Sequence, residues 1–240
     1  MSHVGFLLAG CLNAPVQRLL TFLLLFSLCA NAEDFVGRIT PLIDPVKLST
    51  LGLRGANPRV QKYTYWLAEA HRAGENVTNI CSAAVQKAGY TNQAAAGLTV
   101  DAMLRNLDIA SKLGCLDKSG LADMRRGRSP TIRKGPYAGD ELSVDHIIPR
   151  AVVLELDNVI ANLELLPMRM NSGKGKVVTD RQRNLAKKFH AAGLLSADGL
   201  RAPAVATCSE IITHILAIIL LPLGACKRRI CRRKARFLAG

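Results

Sequence analysis

Three stretches in the first half of the chain carry the apolar pattern of amphipathic helices, and each closes on a glycine. They are RVQKYTYWLAEAHRAG, from Arg59 to Gly74; TNICSAAVQKAG, opening at a candidate cap, Thr78, and ending at Gly89; and TVDAMLRNLDIASKLG, from Thr99 to Gly114. A glycine just past a helix takes the left-handed conformation that ends it. Together they predict a small helical subdomain over residues 59–123. Tyr63, Tyr65 and Trp66 read as packing residues of its first helix. Ahead of it, residues 33–58 are punctuated by Pro41, Pro45, Gly52, Gly55 and Pro58 and read as an irregular lead-in.

The second half changes period. LSVDHIIPR, Leu142 to Arg150, alternates apolar and polar positions as a strand does and stops at Pro149. Asp157-Asn158 is a turn signal, and ANLELLP is a short strand opened by Asn162 and closed by Pro167. MRMNSGKGK then begins as a helical turn, and TDRQRNLAKKFHAAG, Thr179 to Gly193, is a helix that packs on what precedes it. Between the two halves, residues 124–141 form a loop whose first sixteen residues hold five Arg/Lys and no acid. A solvated loop and a phosphate-contacting loop, with Arg133 and Lys134 as contacts, both fit it.

The two ends read differently. Residues 1–32 have the parts of a secretory signal: Arg18, the apolar run Leu19 to Leu28, the small-x-small Ala30-Asn31-Ala32, then Glu33-Asp34. This predicts export to a periplasmic or extracellular-facing location; the competing reading is a buried N-terminal helix. Residues 194–240 contain the apolar Ile211 to Ala225, interrupted by His214 and Pro222, then a tail with seven basic residues and no acid over 226–240. Fifteen residues fall short of the roughly 18–20 of a spanning helix. A membrane anchor with a cytoplasmic basic tail, a core helix, and a surface helix drawn to anionic lipid or nucleic acid stay open.

Composition narrows the class. Hydrophobic residues make up 49% and charged residues 21%, which supports a packed core and excludes global disorder. The net charge of +14 predicts polyanionic partners, nucleic acid or lipid. Of seven cysteines, Cys11 and Cys29 would leave with the signal. No Cys-x-x-Cys remains, which disfavours a zinc knuckle. Cys81 and Cys115 are either a disulfide or two buried thiols.

The chemistry concentrates in Leu142–Lys176. A strand end holding an adjacent Asp and His needs partners for both, since neither is at home on a half-buried pleat. Alternation puts Asp145 and His146 on opposite faces. Imidazole is the side chain that exchanges protons near neutral pH, so His146 is the candidate general base. Taken singly, an Asp-His pair is an ordinary hydrogen-bonded pair and Asn162 an ordinary turn residue.

The set VDHIIPR, ANLELLP and MNSGKGK resembles the HNH endonuclease family over about residues 142–176. The final family position is Asn171 rather than His, a variant also found there. The resemblance implies an α+β fold: a ββα-metal finger over 142–193 with its packing helix, preceded by the helical subdomain and followed by a C-terminal helix and basic tail. It implies a metal-dependent nuclease, with DNA expected as substrate ahead of RNA, that leaves 5′-phosphate and 3′-hydroxyl ends. His146 would be the base and Asn162 would fix its orientation. Asp145 and Asn171 would hold the metal, two oxygen ligands suited to Mg2+ or to Mn2+, which keep waters and bind phosphate, and Arg150, Lys174 and Lys176 are candidate phosphate contacts. No organic cofactor is indicated. A base-stacking single-strand binder is disfavoured by the scarcity of aromatic residues. Two rivals remain: a non-catalytic nucleic-acid binder, which would bind without cutting, and a membrane-surface protein acting through residues 208–240 with a vestigial finger.

Overall fold

Short polar side chains begin most of the helices. In the computed structural model, which describes residues 32–174 and 178–203, helix α1 covers 32–43 and α2 covers Pro45–Ser49. Asp44 caps α2, its Oδ1 accepting from the amides of Val46 and Lys47. Helix α3 is Asn57–Arg72, α4 is Val77–Lys87, α5 is Gln93–Lys112 and α6 is Lys118–Arg125. Asn76, Asn92 and Asp117 cap α4, α5 and α6 through their side-chain oxygens. The glycine stops at Gly74, Gly89 and Gly114 all have left-handed φ, at 81°, 87° and 70°.

The lead-in, which its prolines and glycines predict to be irregular, is helical over 33–43, 45–49 and 57–58, and irregular only at 44 and over 50–56. Pro45 occupies the first turn of α2 and Pro58 that of α3, positions where the missing N–H has no intrahelical partner to lose. Two caps also move. Helix α4 starts from Asn76 rather than Thr78, and α5 starts from Asn92, so that it runs through Gly97 before reaching Thr99.

The chain is an α+β protein. Strands β1 (Leu142–His146) and β2 (Leu163–Pro167) pair antiparallel, with Asp145 opposite Glu164 and His146 opposite Leu163. Two 3-10 turns, Leu154–Leu156 and Ile160–Asn162, lie in the connection. Helix α7 (Met168–Lys174) follows β2 directly, then α8 (Asp180–Ala191) and α9, covering 197–203.

A two-stranded sheet needs support from other elements. Here the helices supply it with side-chain amides. Gln61 on α3 donates to the Leu142 carbonyl at 2.9 Å. Asn106 on α5 accepts from the Leu165 amide at 2.9 Å and donates to the Leu163 carbonyl at 3.2 Å, as a third strand would. Leu142, Val144, Leu163 and Leu165 face a core shared with Tyr63, Leu67, Met103 and residues of α1 and α4. A second cluster, around Ile148, Leu156, Ala186 and Phe189, seats α8 beneath the loop after β1. Cys81 and Cys115 are buried free thiols, raised by burial to about 12 and about 11 respectively. The predicted signal segment, apart from residue 32, and residues 204–240 lie outside the described residues. Among the described residues, no helix is long and apolar enough to cross a membrane.

Candidate active site

His146 ends β1, and the chain then turns through Ile147, Ile148 and Pro149. Asn162, fully buried, holds that turn. Its Oδ1 accepts from the Ile148 amide at 2.8 Å, and its Nδ2 donates to the carbonyls of Ile148 and Leu156 at 3.1 and 3.4 Å. Its own carbonyl accepts from the Ile147 amide at 2.8 Å. A single amide thus satisfies three polar groups that have no strand partner.

The buried His146 ring is fixed by Asp157. Its Nε2 lies 2.9 Å from the Asp157 carbonyl and 3.1 Å from Asp157 Oδ1. A carbonyl can only accept, so Nε2 carries the hydrogen and Nδ1 is the basic nitrogen of the neutral ring. Oδ1 makes no hydrogen bond of its own, while Oδ2 accepts from the Arg54 amide at 2.8 Å. Asn158 continues the junction: Oδ1 accepts from the Ala56 amide, and Nδ2 donates to the carbonyls of Leu51 and Gly52. The loop between α2 and α3 therefore braces the turn that orients the histidine. Arg54, at φ 57°, is the one non-glycine residue with positive φ among the described residues.

The opposite face of the hairpin carries Ser143 and Asp145 on β1, with Leu166 and Glu164 across from them. Helix α7 packs against both strands. Asn171 on α7 donates from Nδ2 to Ser143 Oγ at 3.1 Å, and Ser143 Oγ donates to the Leu166 carbonyl at 3.0 Å. Asp140 secures the start of α7. Its Oδ2 accepts from the Arg169 amide at 2.9 Å and from Arg169 Nε at 3.3 Å. Those bonds, the Arg169 backbone N–H foremost, hold the Asp140 carboxyl below the usual carboxylate range.

Asp145 and Glu164 are each 9% exposed. Acids directly opposite one another on a sheet repel, and a nearby cation relieves this. Arg105 Nε at 3.9 Å and Arg181 at 3.7 Å from Glu164 Oε2 supply part of that charge. Asp145 and Asn171 fit a hard divalent cation by donor type, one carboxylate and one amide oxygen. Among the described residues no three His, Cys, Asp or Glu side chains cluster as a metal site; a carboxylate–amide pair lies outside that pattern.

The basic candidates divide. Arg150, with its side chain 32% exposed, rests its Nε 3.7 Å from Asp157 Oδ1. Arg133 pairs with Asp117 at 3.1 Å, and the amides of Arg133 and Lys134 both donate to the Leu113 carbonyl at the end of α5. Lys176 and the side chain of Lys174 lie outside the described residues. Three residues join the site that the sequence pattern does not mark as site residues: Ser143, Asp157 and Glu164. Strand period alone places Ser143 on the face of Asp145, and that signal was present. Asp157 carried only the signal of a turn. No protein-family model, curated protein or solved structure matches the chain.

Proposed function

We propose that the chain is a metal-dependent endonuclease of the HNH type that hydrolyses phosphodiester bonds of nucleic acid, with DNA the expected substrate ahead of RNA. The observation that carries the reading is Asn171, nine residues beyond Asn162, hydrogen-bonded to the strand face that bears Asp145. β1, β2 and α7 follow one another in the order of the finger the resemblance implies.

His146 takes the proton from the attacking water at Nδ1, because the Asp157 carbonyl keeps the hydrogen on Nε2. Asn162 holds the turn after His146 and limits the play of the ring. Asp145 and Asn171 would hold the divalent cation, Mg2+ or Mn2+. Bound there, the cation would neutralise charge developing on the phosphate and leaving oxygen. Arg150, Lys174 and Lys176 would contact backbone phosphates, and the net charge of +14 would draw the polyanion in.

The test is plasmid nicking by the purified full-length chain with Mg2+, Mn2+ or EDTA, beside His146→Ala and Asn171→Ala. The expected result is cutting that requires metal and falls by about 10²-fold or more without the base. DNA binding by folded protein, with no cutting under either metal, would sink the enzyme and leave a binding module.

A further inference from the structure

We infer that Ser143 is a positioning residue that turns the amide oxygen of Asn171 toward the cation site; the inference rests on the reading of Asp145 and Asn171 as ligands. Ser143 is buried on β1, two residues before Asp145 and on the same face. Its hydroxyl has one hydrogen and two neighbours. One neighbour, the Leu166 carbonyl at 3.0 Å, can only accept, so the hydrogen goes there. The Asn171 atom 3.1 Å from the same oxygen must then be a donor, and so is Nδ2.

The choice has a chemical consequence. Oδ1 is the one atom of the Asn171 side chain able to ligate a hard cation, and Nδ2 directed at the cation would repel it. An inverted amide would set Oδ1 against Ser143 Oγ. The hydroxyl would then have to abandon the Leu166 carbonyl or leave two oxygens in contact. The Leu166 carbonyl biases the hydroxyl, and the hydroxyl biases the amide. Groups that orient a ligand in this way commonly change metal affinity by about 10- to 100-fold when removed.

Mn2+ binding, read from the free-ion paramagnetic resonance signal over full-length protein, separates this role from a merely structural one. Ser143→Ala is expected to weaken Mn2+ about tenfold, and Ser143→Thr, which restores the hydroxyl, to recover most of that loss. In Asn171→Asp the ligand has two equivalent oxygens, so adding Ser143→Ala should change affinity little. Ser143→Cys, similar in size with a weak donor, gives the same reading if the alanine variant does not fold. Unchanged affinity in Ser143→Ala, or an equal loss in the Asn171 and Asp backgrounds, overturns the positioning role alone. Folded wild-type protein that binds no Mn2+ and cuts nothing overturns the nuclease reading and this inference with it.

Discussion

Asp157 acts on His146 through two different groups, and substitution can separate them. The backbone carbonyl sets the tautomer and survives any side-chain change. The carboxylate places a buried negative oxygen 3.1 Å from Nε2 and accepts the Arg54 amide through its other oxygen. Asp157→Ala removes that acceptor from a part-exposed amide, so it should destabilise by about 0.5–1.5 kcal/mol, the net contribution of one hydrogen bond. Asp157→Asn can keep the acceptor for the Arg54 amide, but it removes the charge and turns an amide NH2 toward the His146 Nε2–H. Its urea midpoint should therefore also fall below wild type, and under the proposed mechanism its nicking rate should fall by less than the ~10² expected for His146→Ala. Equal nicking by Asp157→Asn and wild type would reduce the carboxylate to a structural role.

At the scale of elements, α7 matters because it carries Asn171, and Asp140 fixes where α7 begins. The Asp140 carboxyl titrates below its ordinary range in the folded protein, chiefly because it accepts the Arg169 amide. A depressed folded value means its contribution is present above the unfolded carboxylate value, about 4, and is lost as pH falls through the folded value. Asp140→Asn should therefore be less stable than wild type at pH 7, with the gap closing in acid. Urea midpoints at pH 7 and pH 3 decide this, and a gap that stays constant would remove Asp140 as the source. The elements also differ in how legible they were. The strand–strand–helix order around His146 and Asn171 was readable because period-two alternation and an asparagine-led strand are local signals. Helices α1 and α2 were not, because Pro45 marks a first turn and a break with the same letter. Ser143 escaped notice for a different reason: a lone polar residue in a strand gains meaning only once Asn171 is known to lie over it.

For the whole molecule, the arrangement of the core decides how the site fails. β1 and β2 contribute Leu142, Val144, Leu163 and Leu165 to the same apolar cluster as Tyr63 and Leu67 of α3, Cys81 of α4 and Met103 of α5. The hairpin's outer edges are completed by Gln61 and Asn106 from those helices. The finger segment therefore has neither its full core nor its edge hydrogen bonds without residues 57–112, and the two halves should unfold together. Trp66, stacked on Arg38 and edge-on to Tyr65, reports the helical half. The proposed metal-dependent nicking would report the hairpin half, and alkylation of Cys81, whose thiol burial raises to about 12, reports opening of the shared core. In urea the three midpoints should coincide. Leu67→Ala, which empties a fully buried α3 position, should shift all three by an amount equivalent to about 2–5 kcal/mol. If nicking were lost well before Trp66 fluorescence changed, the hairpin would be a separately opening unit. The amide bonds from α3 and α5 would then be too weak to tie the site to the helices.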